Sequence, residues 1–170
     1  GFGDLRFAIS GAAPINPDII TLFHRLEIPL YEGYGMTENT AGATLNYSGS
    51  NKVGSVGRSI PNTQVKIGED GEVLIKGDHV MKGYYNNEKA TAETIIDGWL
   101  YTGDVGVIDS DGFLSITGRK KEIYISSAGK NIAPLNGNTD IFSGKSLFIL
   151  SYFSMTMFIF FSRSTKTWLI

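Results

Sequence analysis

The alternation and clustering of apolar residues divide the chain into short elements. Asp4–Ser10 carries the run Leu-Arg-Phe-Ala-Ile, which suits a buried strand. Gly11-Ala12-Ala13-Pro14 is small and turn-like. Small residues let a ligand approach the backbone closely, and they serve equally well as a plain strand-to-helix connection. A helix is expected to start with Asn16 as N-cap, Pro17 in the first helical position and Asp18 at the positive dipole end. Its apolar face would hold Ile19, Ile20, Leu22, Phe23 and Leu26, with His24 structural or exposed and Pro29 as the stop. Ile28–Glu32 reads as the next strand. Strand–helix–strand suggests a parallel unit, and such sheets bind ligands beyond the carboxyl ends of their strands. Gly33-Tyr34-Gly35 sits at such an end.

Asn39–Asn51 is polar and glycine-bearing, hence read as a loop. Gln64-Val65-Lys66-Ile67 alternates as a strand does, Glu69–Glu72 is a turn, and Val73–Gly77 is another strand. Glu88–Ile96 reads as one short helix. From Gly98 the chain places Asp104 in a glycine-framed turn, and a hairpin follows with Asp111-Gly112 as its turn signal. Arg119 comes just after Gly118. A carboxylate that can accept two hydroxyls, with a cation some residues later, suits a ribose and a phosphate; a surface hairpin with solvated charges has the same spacing. Short strands broken by Gly and Asp suggest a small antiparallel barrel.

Composition narrows the function classes. The chain is 42% hydrophobic and 19% charged, with net charge −2, an ordinary globular balance. That charge makes no electrostatic case for nucleic acid. The absence of cysteine excludes disulfide frameworks, thiolate metal sites and a cysteine nucleophile. Two histidines, His24 and His79, argue against a histidine metal cluster. The start at Gly1-Phe2-Gly3-Asp4, with neither initiator methionine nor signal peptide, suggests a fragment.

Two motifs then carry a resemblance. Tyr31-Glu32-Gly33-Tyr34-Gly35-Met36-Thr37-Glu38 precedes Tyr101-Thr102-Gly103-Asp104 and Gly118-Arg119-Lys120-Lys121-Glu122. In this order they resemble the adenylate-forming superfamily of acyl-CoA synthetases, peptide-synthetase adenylation domains and luciferases. The wording Gly-Arg-Lys-Lys-Glu-Ile, with Ala-Gly-Lys-Asn-Ile-Ala-Pro after it, most resembles the long-chain fatty acyl-CoA synthetases. The resemblance covers Gly1 to about Pro134. It implies a mixed α/β chain: the end of a parallel-sheet subdomain over residues 1–50, a small antiparallel β-barrel over 51–118, and a hinge and the start of a C-terminal lid over 119–134.

The resemblance also implies roles. Gly11, Ala12 and Ala13 would line the acyl and adenine pocket, beside Gly33 and Gly35. Tyr34 would stack on adenine, and the Thr37 hydroxyl would contact phosphate. Glu38 would help hold Mg²⁺, which favours oxygen ligands and retains waters. Asp104 would bind both ribose hydroxyls, and Arg119 would reach the ribose or phosphate. Lys121 would be the hinge of the lid, a mechanical role, while Lys120 and Lys130 would be solvated charges. The parent protein would activate a long-chain fatty acid with ATP and pass the acyl group to coenzyme A. The alternatives are a truncated, non-catalytic isoform or an amino-acid or aryl-acid adenylating domain. A cytoplasmic location with peripheral membrane contact fits a fatty substrate.

The family pattern fails in places. Ala128-Gly129 stands where many relatives have two glycines, and a methyl group there would crowd the thiol channel. The stretch 135–170 departs altogether. Ser146–Ser162 is uncharged and crowded with Phe, Ile, Leu and Met. It sits at the lower edge of the roughly 17 to 25 residues that span a bilayer. Its β-branched and aromatic content favours a strand about as well, and a splice, read-through or frameshift product fits the abrupt change best. The family's phosphate loop has no match, and the lid with its catalytic lysine is missing. These residues alone are therefore expected to be inactive, since losing preorganised cationic stabilisation costs orders of magnitude in rate.

Overall fold

A computed structural model describes residues 5–120, 124–125, 131–132 and 157–162. Strand β1 (Leu5–Gly11) leads into helix α1 (Pro17–Arg25) and strand β2 (Leu30–Tyr34). The strands pair in parallel, with Ala8 opposite Leu30 and Ser10 opposite Glu32, as the strand–helix–strand pattern predicts. Asn16 caps α1 by accepting from the Asp18 amide at 2.8 Å. The helix buries less than its apolar stripe suggests. Ile20 is sealed against Ala8 and Leu30, whereas Leu22 and Leu26 are more than half exposed. His24 lies in hydrogen-bond contact with the Leu30 carbonyl at 2.8 Å, a structural role.

The loop expected over 39–51 is a built part of the fold. It contains β3 (Thr44–Leu45), paired antiparallel to β2 and to β4 (Arg58–Ser59). Buried Asn46 holds it together. Its amide donates to the Glu32 and Ser55 carbonyls, and its oxygen accepts from the Lys52 amide. Such a saturated buried amide replaces apolar packing, which is why the stretch looks loop-like in sequence. The outer neighbour of β1 is β12 (Met157–Ser162), antiparallel and in register from Phe161 opposite Phe7 to Met157 opposite Gly11, with a shift before Ser162 opposite Leu5. Part of the atypical hydrophobic tail is thus a sheet strand.

The second sheet comprises β5 (Thr63–Ile67), β6 (Glu72–Gly77), β7 (Ile95–Ile96), β8 (Trp99–Ile108) and β9 (Leu114–Arg119), all antiparallel. Its core is Val73, Ile75, Leu100 and Leu114 with Ala43, the residue just before β3. The expected barrel is not borne out: among the described residues these strands form an open sheet. Helix α2 (Glu88–Thr94) is capped by Asn87 and stops short of the expected Ile96, because Ile95–Ile96 form β7 against the start of β8. The hairpin turn falls at Asp109–Gly112, with the Asp109 carboxylate accepting the Asp111 and Phe113 amides. Strands β10 (Tyr124–Ile125) and β11 (Asn131–Ile132) form a separate two-stranded ladder. Among the described residues no helix is long and apolar enough to cross a membrane.

Candidate active site

The inward face of β8 reads Leu100, Thr102, Asp104, Gly106. Two polar side chains there stand where a simple strand would place apolar ones. The turn expected around Asp104 is a bulge within the strand. The β6–β8 register runs Leu74 opposite Tyr101, then Glu72 opposite Val105. Thr102, Gly103 and Asp104 therefore face the single Val73. Gly103 has φ +75, a left-handed conformation that glycine adopts without strain. The Thr102 hydroxyl donates to the Val73 carbonyl at 2.8 Å and accepts from the Asp104 amide at 3.1 Å.

Asp104 is only 6% exposed. Its Oδ2 accepts from the Tyr34 hydroxyl at 2.6 Å, and its Oδ1 accepts from Arg119 Nε at 2.8 Å. Residues from β2, β8 and β9 thus meet at one carboxylate. Burial, and then the Asp104 acceptor, push the Tyr34 hydroxyl well above its usual range, so it stays a neutral donor. A carboxylate offers about four lone-pair positions. Tyr34 and Arg119 use two, which leaves capacity for a pair of neighbouring hydroxyls.

Beyond Tyr34 the chain turns tightly. A Cβ at Gly35 would collide with the Ala41 carbonyl, so glycine is required there. The Asn39 side chain closes the short 3₁₀ turn Thr37–Asn39 by accepting the Met36 amide at 2.8 Å. Thr37 is exposed, and Glu38 is half-buried. Glu38 Oε1 accepts from the Tyr84 hydroxyl at 2.8 Å, and its carbonyl accepts the Met81 amide at 2.7 Å. The Met81–Asn87 stretch, which shows no chemistry in sequence, therefore orients the candidate metal ligand. One carboxylate beside a hydroxyl fits Mg²⁺ held partly by nucleotide oxygens and water. Among the described residues no cluster of three acidic or histidine side chains could cage a metal by itself.

Gly11 and Gly33 lie together at the carboxyl ends of β1 and β2, where a Cβ on Gly11 would sit 3.4 Å from the Gly33 carbonyl. Ala12 follows with φ 67, unusual for a residue with a side chain, and Ala13 leads to Pro14. Behind them Glu32 is buried, with Oε1 3.5 Å from the Ile15 amide, and burial raises its pKa to about 7. Lys121 lies outside the described residues. Lys120 is not a simple solvated charge: its ammonium lies 2.7 Å from Asp70 and 2.8 Å from buried Glu72. Glu72, Glu32 and Tyr84 are the residues that sequence reasoning missed. The one signal for Glu32 and Glu72 is a carboxylate adjoining an apolar strand run, Leu30-Tyr31 before Glu32 and Val73-Leu74-Ile75 after Glu72.

Residues 1–85 match the family model described as AMP-binding enzyme, half of the chain. The chain belongs to the AMP-binding enzymes. It is 50% identical over 137 residues to the putative fatty-acid–CoA ligase fadD11 of Mycobacterium tuberculosis, covering 80% of this chain and 24% of that one. It is 44% identical over 132 residues to the long-chain-fatty-acid–CoA ligase FadD15 of Mycobacterium bovis, covering 78% and 22%. Among solved structures it resembles the O-succinylbenzoate coenzyme A synthetase of Bacillus subtilis in complex with ATP and magnesium ion. The TM-score is 0.66 at 31% identity, over 74% of this chain and 28% of that one. The chain thus spans about a quarter of the length of these relatives. It is an adenylate-forming superfamily segment most like the fatty acyl-CoA synthetases.

Proposed function

We propose that this chain carries the nucleotide-binding part of an AMP-forming ligase that joins a long-chain fatty acid to coenzyme A. The observation that carries this reading is the buried Asp104 carboxylate, shared by Tyr34 and Arg119 and followed along β2 by the Thr37–Glu38 turn. Asp104 accepts the ribose hydroxyls, and Tyr34, fixed by its hydroxyl, presents its ring to adenine. Arg119 supplies positive charge at the ribose-phosphate side, and the exposed Thr37 hydroxyl faces phosphate. Glu38, held by Tyr84, offers an oxygen to Mg²⁺, which would supply charge neutralisation for pyrophosphate departure. The fatty-acid carboxylate attacks the α-phosphorus to give acyl-AMP and pyrophosphate, and the coenzyme A thiol then displaces AMP. The 44–50% identity to fatty-acid–CoA ligases supports the acyl class. In the same reading residues 1–50 belong to the parallel-sheet subdomain, 51–118 to the β-rich subdomain, and Lys121 to the hinge.

A second reading keeps the chemistry and changes the acid to an aryl one. The likeness to the succinylbenzoate synthetase favours it. The intact protein, given ATP, Mg²⁺ and coenzyme A with either palmitate or o-succinylbenzoate, separates the two by mass spectrometry of the thioester. Palmitoyl-CoA is the expected product. Succinylbenzoyl-CoA alone would move the assignment to the aryl class, and neither thioester would sink both.

A further inference from the structure

Glu72 opens β6 and is only 4% exposed. Its two carboxylate oxygens go to different parts of the site. Oε1 accepts the Gly103 amide at 2.7 Å, and Oε2 accepts from the Lys120 ammonium at 2.8 Å. Lys120 also reaches Asp70 Oδ2 at 2.7 Å, and Asp70 Oδ1 accepts the Glu72 amide at 3.1 Å. Gly103 is the middle residue of the bulge that carries Asp104, and Lys120 is the residue after Arg119.

The bulge explains why a carboxylate is needed there. With Thr102, Gly103 and Asp104 all facing Val73, the β6 backbone cannot serve all three residues with ladder hydrogen bonds. The Gly103 amide turns out of the ladder and is taken by Glu72; the Thr102 hydroxyl serves the neighbouring Val73 carbonyl and Asp104 amide. A charge-assisted bond to a buried carboxylate is about twice as strong as a neutral one, so the bulge is firmly set. The same carboxylate holds Lys120, the residue after Arg119, and so fixes the end of β9.

We propose that Glu72 is a positioning residue for the nucleotide site: it sets the bulge that presents Asp104 and, through Lys120, the strand end that presents Arg119. The inference rests on the ribose-binding role given to Asp104 above. Glu72 touches neither nucleotide nor reacting atoms; it acts through the two residues that do.

The test is calorimetric titration of the full chain with AMP and with 2′,3′-dideoxy-AMP, which lacks the hydroxyls Asp104 would accept. Wild type, Glu72→Gln, Lys120→Met and Lys120→Arg are compared. Lys120 is partly exposed, so its variants probe the contact without emptying a buried site. The expected result is that wild type prefers AMP. Glu72→Gln and Lys120→Met should each lower AMP affinity by about tenfold, the scale of one charge-assisted hydrogen bond. Dideoxy-AMP, which retains only the phosphate contact of Arg119, should lose less affinity than AMP, so the preference shrinks, and Lys120→Arg should restore it. A purely structural role would weaken both nucleotides by the same factor and leave the preference intact. If wild type prefers AMP and both charge-removing variants keep that preference in full, the positioning role is overturned while the nucleotide reading stands. If wild type binds neither nucleotide, the nucleotide reading falls and the positioning role falls with it.

Discussion

Replacing Glu32 by Gln should remove a pH dependence from the stability of the fold. Glu32 lies on β2 beneath the Gly11–Pro14 connection, 7% exposed, and among the described residues its one near donor is the Ile15 amide at 3.5 Å. Burial raises its pKa to about 7 from the ordinary value of 4.5, and the weak Ile15 contact offsets little of this. The folded state therefore holds a proton that the unfolded chain has released between those values. Stability is full below about pH 4.5 and falls as pH rises toward 7. At about 1.4 kcal/mol per pH unit, the loss across that window is roughly 3 kcal/mol. Gln has the shape of the protonated acid and cannot ionise. At pH 5 the variant should lie within about 1 kcal/mol of wild type; at pH 8 it should be the more stable by roughly 3 kcal/mol. The assay is urea unfolding at both pH values. With a slope of roughly 1–3 kcal/mol per molar urea, the midpoints should separate by on the order of 1 M at pH 8. The difference between proteins isolates Glu32 from other titrating groups. Midpoints that keep the same separation at pH 5 and pH 8 would refute the reasoning.

Two further predictions follow from the packing. Tyr84→Phe removes the hydroxyl that holds Glu38, so in the intact protein the Mg²⁺-dependent affinity for ATP should fall by roughly 2- to 10-fold. Mg²⁺ titration at fixed ATP checks this, and an unchanged Mg²⁺ midpoint would mean Tyr84 does not orient the carboxylate. Ile75→Ala empties a fully buried position in the core of the second sheet and should cost roughly 2–5 kcal/mol in urea unfolding.

Much of the fold was legible because the local signals are strong. Asn16-Pro17-Asp18 marks the start of α1, and Asp111-Gly112 marks the hairpin. The parallel pairing of β1 and β2 followed from a helix between two apolar runs. The misreadings have a common cause in tertiary context. Asn46 forms buried hydrogen bonds where apolar packing would have shown a pattern, so the 39–51 stretch looked like loop. Ile95–Ile96 continue a helical composition yet pair with β8. Leu22 and Leu26 match a helical stripe but lie outward.

The candidate site was legible as residue types and not as geometry. Asp104 and Arg119 could be paired by motif, but the bulge that turns Asp104 inward depends on Gly103 and on Glu72, which lies 31 positions earlier. Lys120 looks like a surface charge because its partners, Asp70 in a turn and Glu72 at the start of β6, lie about 50 positions earlier in a stretch that shows no chemistry in sequence. Tyr84 was silent for the same reason: its contact with Glu38 spans 46 positions.

The central claim is that Asp104 is the ribose acceptor of a nucleotide site. Calorimetric titration of AMP into wild type and Asp104→Asn tests it most directly. Asn keeps the shape of the side chain and removes its charge. The account predicts that wild type binds AMP and that the variant binds it at least about tenfold more weakly, as expected when a charge-assisted hydrogen-bond acceptor is lost. Equal AMP affinity in the two proteins would contradict it.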